Sequence, residues 1–484
     1  MAGHQIKRWL YLVHRWIGIA TCLLFVLWFA SGLVMLYVPF PSLEDQERIA
    51  GLSPIAWEQL NGDVSLARSA SEARQMVLEM RGDRPVWRID PWEGSPFTLW
   101  ASTGLAAEAT SRREAERIAA TFGRTNVEAM EAIQTDQWVV ASRYDSLRPL
   151  WKAKLSGDAG RILYVSSSDG AVVLDTDARE RFWNWLGSVP HWLYPRALRE
   201  NQPLWRQVVL WSSGPCILVA LTGTWIGVMR LRAGKRRFGN GRMTPYAGWM
   251  KWHHVSGLVG SLFLILWILS GWLSVDPGRV FSSEGIRLAA RRDYAGQAPL
   301  MIPDLARIAA IAPDARRVAI SAAAGRAFVR VQGAGGEDKL FDATTLEPLQ
   351  PDLAAISASA PRLVPDAKVV SITKLTRPDA YWYAVKGELR LPVLRVAFGD
   401  PASSWVHIAA DTGEVVGESD ARRRVYRWLF DLFHRWDLNL LLQTPLAREL
   451  LIWAMSIMGL ITSVAGVVIG WRRLRRPRTP LVHR

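Results

Sequence analysis

Four histidines occupy matched places in the two halves of this chain. His14 in VHRWIG corresponds to His253 in WHHVSG, and His191 in VPHWLYP corresponds to His434 in LFHRWDL; each is close to one end of a long apolar run. Neutral imidazole is a common axial ligand of haem iron. A duplicated helix pair with one histidine near each water interface can therefore hold two haems, one above the other. No C-x-x-C-H motif is present, so such haems would be held non-covalently, as b-type. H-E-x-x-H and C-x-x-C metal motifs, a G-x-G-x-x-G loop and a P-loop are also missing, so the chain shows no site for NAD(P)H, flavin or ATP.

The duplication is visible by subtraction. An offset of 239 carries His14, Gly18, Trp28, Ser31 and Gly32 onto His253, Gly257, Trp267, Ser270 and Gly271. A second offset, 243, carries Trp185, His191, Gly223, Ile226, Gly227, Arg230, Leu231 and Arg232 onto Trp428, His434, Gly466, Ile469, Gly470, Arg473, Leu474 and Arg475. The two offsets differ by an insertion in the long polar segments, where length changes are tolerated better than inside a helix.

His14 and His253 each have a glycine one turn deeper, Gly18 and Gly257, where a missing side chain lets a flat macrocycle approach the backbone. His253 adjoins His254, which points about 100° away round the helix, so both do not serve one iron. We rank His253 as the ligand and His254 as its reserve. His254 is the repeat counterpart of Arg15, which suggests a shared polar role such as contact with a haem propionate. His191 and His434 lie in aromatic stretches, FWNWLGSVPHWLYP and YRWLFDLFHRWDL, that read as amphipathic interfacial helices with Trp and Tyr at headgroup depth. Such a helix over the outer mouth of a bundle can also turn its histidine inwards to a second haem. Arg196 and Arg435 are candidates for propionates or an anionic iron complex, with a solvated surface role as the alternative. His4, His407 and His483 carry no such pattern. Most of the 25 tryptophans read as interfacial belts or core; Trp28 and Trp267, deep in their helices, either line the space between two haems or simply pack.

These histidines need membrane helices to position them. Residues 17–38, 208–229, 255–275 and 450–471 carry no charge, and at roughly 1.5 Å per residue each is long enough to cross about 30 Å of hydrocarbon. The mean hydropathy of +0.05 conceals this because long polar segments dilute it. Lys7, Arg8 and Arg15 precede the first run; Arg230, Arg232, Lys235, Arg236, Arg237 and Arg242 fill the loop after the second; Arg472, Arg473, Arg475, Arg476 and Arg478 follow the fourth. The positive-inside rule puts both termini and the 230–250 loop in the cytoplasm and the segments at about 41–205 and 276–447 outside. The net charge of +15 is then a topology signal on anionic lipid, and nucleic acid is not an expected partner. The first run exceeds a signal-peptide h-region and lacks a small-x-small cleavage site, so an uncleaved signal-anchor is expected. Cys22 and Cys216 lie inside apolar runs, where a structural disulfide is not expected.

The polar segments read as α+β. Helical periodicity is expected over 65–80, 111–122 and 303–311. Strands are expected at VWRID, FTLWAS, RILYVSSSDGAVVLD, RRVAIS, AFVRVQ, KVVSITK, YWYAVKG, PVLRVAFG and SWVHIAADTGEVVGE, with hairpin turns at SDG (168–170) and DTG (411–413). The expected order is a transmembrane helix in 1–40; an outer α+β region, 41–180; an interfacial plus a transmembrane helix, 181–232; a cytoplasmic loop, 233–247; a transmembrane helix, 248–275; a second α+β region, 276–420; an interfacial plus a transmembrane helix, 421–473; and a tail, 474–484.

SWVHIAADTGEVV, VHRWIG and LFHRWDL together resemble the PepSY-associated transmembrane family, a likeness that is clear in the helices and 403–437 and weaker in 41–165. The resemblance implies an inner-membrane protein with PepSY-like periplasmic regions and two b haems. It implies reduction of a ferric siderophore or another periplasmic iron complex, with electrons from a cytoplasmic or quinol donor. One alternative is a membrane-anchored PepSY binding or regulatory protein without redox activity. Another, a transporter, is disfavoured because the four apolar cores lack Asp, Glu, Lys and Arg.

Overall fold

The computed structural model describes residues 2–60, 72–157, 159–232, 237–238, 241–296, 298–385 and 387–475. Lys235, Arg236, Arg476, Arg478, His483 and the 65–71 part of the expected helix lie outside them. The chain divides into two compact units, one formed by 1–40, 182–282 and 425–484 and the other by 41–181 and 283–424.

The first unit is helical: α1 (Ala2–Tyr37), α2 (Gln202–Arg230), α3 (Gly248–Val259), α4 (Ser261–Leu273) and α5 (Pro445–Leu474). α1, α2 and α5 are each long and apolar enough to cross a membrane. The single helix expected over 248–275 is instead α3 and α4, bent by 70°. Gly260 sits at the break with φ −85° and ψ 2°, and the Ser261 hydroxyl donates to the Leu258 carbonyl at 2.8 Å. Glycine lowers the cost of leaving the helix and serine supplies a substitute hydrogen bond, which is how Gly/Ser pairs kink helices.

Residue placement in this unit reverses that of a water-soluble bundle. Leu23, Trp211 and Trp225 are more than half exposed, while Thr21, Ser31, Ser213, Ser256, Ser270 and Ser463 are buried. Small residues inside allow close helix approach and large apolar ones outside suit lipid. At Gly459, a Cβ would come within 2.5 Å of the Phe29 ring, so α1 and α5 meet there only because 459 is glycine. Asn201 starts α2 by accepting from the Leu204 amide at 3.0 Å, a cap worth about 1 kcal/mol.

The second unit is α+β, with three antiparallel sheets. Its strands are β1 (Ala73–Arg81), β2 (Arg84–Pro91), β3 (Phe97–Trp100), β4 (Val127–Ile133), β5 (Leu150–Leu155), β6 (Ile162–Ser166), β7 (Val172–Thr176), β8 (Arg317–Ala323), β9 (Arg326–Gln332), β10 (Asp338–Asp342), β11 (Val369–Leu375), β12 (Val393–Phe398), β13 (Trp405–Ala409) and β14 (Val415–Ser419). Sheets β4-β5-β6-β7 and β11-β12-β13-β14 are repeat counterparts, and the six-stranded sheet runs β10-β9-β8-β1-β2-β3. The two α+β regions are therefore joined: β1 pairs with β8 in the register Leu78↔Val318. Helix Arg112–Gly123 lays Ala115, Ile118, Ala119 and Phe122 on Ala153, Leu155, Leu163 and Val165.

Two expectations fail here. Residues 73–80 form strand β1, not part of a helix, because β1 is central and buried on both faces, so its apolar residues do not alternate. YWYAVKG forms no strand among its described residues; Trp382 stacks on His407 instead, with ring centres 4.4 Å apart.

Candidate functional site

Inside the helical unit the four matched histidines come together as two pairs. His14 of α1 and His253 of α3 have ring centres 6.1 Å apart and planes inclined by 46°. His14 Nδ1 lies 3.1 Å from the Val219 carbonyl of α2, and His253 Nδ1 lies 2.8 Å from the Thr462 carbonyl of α5. A carbonyl only accepts, so each Nδ1 carries the proton and each Nε2 keeps its lone pair. Gly223 and Gly466, one turn beyond those carbonyls, lie against the histidine rings; without a side chain there, the imidazole reaches the helix backbone. Offset 243 relates Val219 to Thr462 as it relates Gly223 to Gly466, so the same contact is built twice.

The second pair, His191 and His434, repeats the spacing with different supports. His191, at the end of helix Ser188–His191, and His434, in helix Phe433–Arg435, have ring centres 6.1 Å apart and planes inclined by 67°. Their Nδ1 atoms each lie 3.1 Å from a serine hydroxyl, Ser31 of α1 and Ser270 of α4. Each serine donates its one proton to a backbone carbonyl, Trp28 at 3.3 Å and Trp267 at 3.1 Å. The same two carbonyls also accept from the imidazoles themselves, so one ring nitrogen of each carries the proton and the other keeps its lone pair. Gly32 and Gly271 lie against these rings at 3.3 Å from an ideal Cβ. Phe430 stacks on His434 at 5.0 Å, and the Trp267 indole donates to the His434 carbonyl at 3.1 Å. The turn before His434 is a π-helix, Arg427–Leu432, a local widening common at functional sites.

His14 and Ser31, the partner of His191, are about 25 Å apart along α1 at roughly 1.5 Å per residue. Between them sit Phe25, Trp28 and Phe29, with Trp267 5.7 Å from Phe29.

His254 takes a different role from His253. Its Nε2 donates to the Gly227 carbonyl at 2.9 Å and its Nδ1 faces the Thr244 hydroxyl at 2.9 Å, so it has no lone pair to spare. It is a buried brace between α3 and α2 and does not share a role with exposed Arg15. Arg15 lines the cavity beside His14 and His253, together with Arg473, Gly18 and Gly257. Gly18 and Gly257 face Val219 and Thr462 across the helix contacts and not the histidines; the glycines that bare the histidine sites are Gly223, Gly466, Gly32 and Gly271. Arg435 is engaged by Asp431 at 2.7 Å and Asp437 at 2.9 Å, and Arg196 by Glu200 at 2.7 Å. His407 is a buried sheet residue that accepts from Arg395 at 2.9 Å.

The chemistry of the donor set says what these pairs suit. No group of three or more His, Cys, Asp or Glu side chains is placed to hold a metal ion among the described residues. Two imidazoles alone are an incomplete shell for a bare ion, but they complete one that brings its own in-plane ligands. A nitrogen–metal bond of about 2 Å puts two axial imidazole rings roughly 6 Å apart, centre to centre, which matches both pairs. The His14–His253 pair also borders a largely apolar cavity of about 390 Å³, within the range of cofactor pockets, with Arg15 and Arg473 as cations for carboxylates. The residues fit haem.

No protein-family model matches the chain, and no curated protein matches it.

Proposed function

We propose that this chain is an integral membrane oxidoreductase that holds two b haems, the inner by His14 and His253 and the outer by His191 and His434. The observation that carries this reading is the repeated 6.1 Å pairing of imidazoles, each with a proton on one ring nitrogen and a lone pair on the other. The bound haems supply one-electron transfer between the two membrane faces. Each pair of histidines would hold its haem from both sides and would keep oxygen from the metal. Val219 and Thr462 fix the tautomer and, with Ser31 and Ser270, the ring orientation, as partners of ligating histidines do. Arg15 and Arg473 offer charge to propionates at the inner mouth.

The substrate in this reading is a ferric complex at the outer face, and a ferric siderophore is the class we favour. Hard oxygen ligands hold Fe(III) more tightly than Fe(II), so adding one electron loosens the complex and releases Fe(II) for uptake. The basic flanks of α1, α2 and α5 support an inner-membrane location with both termini cytoplasmic and the long polar segments periplasmic. The PepSY-associated likeness of SWVHIAADTGEVV and the histidine motifs supports the same assignment.

The test is the absorbance spectrum of detergent-purified protein from haem-replete cells, oxidised and dithionite-reduced, with haem counted per chain. Two b haems are expected, and His14→Ala or His434→Ala should each remove one. Absence of a Soret band from the unmodified protein would overturn the reading.

A further inference from the structure

Sheets β4-β5-β6-β7 and β11-β12-β13-β14 are copies of one another, and each begins on an edge strand. Offset 243 places Lys154, Ala153, Lys152 and Trp151 of β5 on Ala397, Val396, Arg395 and Leu394 of β12. The pairing registers then match Ala129, Met130, Glu131 and Ala132 of β4 with Ser371, Ile372, Thr373 and Lys374 of β11, and the bulged residue Glu128 with Val370.

The two edges have diverged. On β4, Glu128 and Glu131 are held by Lys154 at 2.7 Å and Lys152 at 3.3 Å. That edge carries charge that is already neutralised, a usual way to discourage strand addition. On β11 both acids are gone. Val370 is 69% exposed and Ile372 38%, and Ser371, Thr373 and Lys374 are exposed beside them. Lys368 and Lys374 flank this stretch, and neither joins an ion pair among the described residues. Beyond the ladder with β12, no hydrogen bond reaches 370–374 among the described residues. An antiparallel edge strand turns the N–H and C=O of every second residue outward, so β11 is an open template with an apolar centre and cationic flanks.

We infer that β11 takes an extended acidic segment of a partner protein as a fifth strand of this four-stranded sheet. Main-chain bonds to β11 hold the segment, as in other strand additions. Its apolar side chains lie beside Val370 and Ile372. Its carboxylates lie beside Lys368 and Lys374 and supply from outside the acids that β4 carries itself. Opposite charges and β-branched side chains are favourable neighbours across strands. A second copy of this chain fits less well, because β11 against β11 gathers four lysines without an acid, and the acids of β4 are already taken. The inference does not depend on the haem reading.

The test uses the detergent-purified full-length protein and a short fluorescein-labelled peptide of alternating valine and threonine with glutamate at both ends. Fluorescence anisotropy reads binding, and hydrogen exchange reads the amides of 369–375. Saturable binding is expected, about 10-fold tighter than for the same peptide with lysine at both ends, together with slowed exchange across 369–375. The joint substitution Val370→Glu and Thr373→Glu, which gives β11 the acids that β4 already accommodates, should weaken binding by about 10-fold. Equal affinity for the two peptides, unslowed exchange at 369–375, or binding unchanged by the joint substitution would overturn the inference. A dimer that the same joint substitution breaks, and that excludes the peptide, would also overturn it.

Discussion

The imidazole of His14 lies against the bare Cα of Gly223: a Cβ added there would come within 2.6 Å of Cε1 and 3.0 Å of Nδ1. At the repeat counterpart, Gly466, the same atom would lie 3.5 Å from Cε1 of His253, an ordinary contact. The duplicated site is thus tighter on one side than on the other. Gly223→Ala should push His14 off the Val219 carbonyl and weaken inner haem binding by about 10- to 100-fold, the usual cost of losing the partner of a metal-bound histidine. Gly466→Ala should bind haem almost as the unmodified protein does. Haem titration of the two purified variants decides the matter, and equal losses in both would contradict the asymmetry.

His254 gives a sharper test of ligand choice. Both of its ring nitrogens are engaged, by Gly227 and Thr244, so His254→Ala should keep two haems per chain while lowering stability by about 1–3 kcal/mol, the cost of stranding buried polar partners. His253→Ala should lose one haem. Pyridine haemochrome counts on the two variants, read beside their melting curves, would show the opposite order if the ligand were His254.

Much of this candidate site is legible in the sequence. The offsets of 239 and 243 aligned not only the histidines but also Ser31 with Ser270, Gly32 with Gly271 and Gly223 with Gly466, the residues that support them. Side-chain chemistry alone did not show that Gly223 and Gly466, and not Gly18 and Gly257, bare the histidine sites, because that depends on which neighbouring helix each imidazole meets. The carbonyls of Val219 and Thr462 leave no mark in sequence, since any residue type supplies one. The break at Gly260 was hidden because hydropathy averages over a bend. β1 was misread because burial on both faces erases the alternation that identifies a strand.

Glu79 is fully buried in the α+β unit, with Arg88 Nε at 2.6 Å and Arg48 Nη1 at 3.1 Å. Burial alone would raise its carboxyl, but Arg48 and Arg88 outweigh that and hold it down at about 2. Glu79→Gln leaves two guanidiniums facing a neutral amide and should destabilise this unit by about 3–5 kcal/mol, the usual result of breaking a buried pair from one side. Urea unfolding followed by tryptophan fluorescence reads the loss. A variant within about 0.5 kcal/mol of the unmodified protein would show that the pair contributes nothing.

His407 couples the same unit to pH. Its ring is 2% exposed and stacked on Trp382, with Nε2 accepting from Arg395, which is itself held by Asp379 at 2.6 and 2.9 Å. Burial first, and then the Arg395 charge, lower its pKa from 6.5 to about 4, with Asp379 opposing. A proton on Nε2 would break the bond to Arg395 and set two cations against each other. The unfolded chain therefore takes up this proton at a higher pH than the folded one. Stability is fully present above about pH 6.5 and falls as pH drops from there through about 4, by on the order of 3 kcal/mol. His407→Gln keeps an acceptor for Arg395 but cannot titrate, so its melting temperature should fall less steeply across that window. Parallel slopes for the two proteins between pH 6.5 and 4 would remove His407 as the source of the dependence.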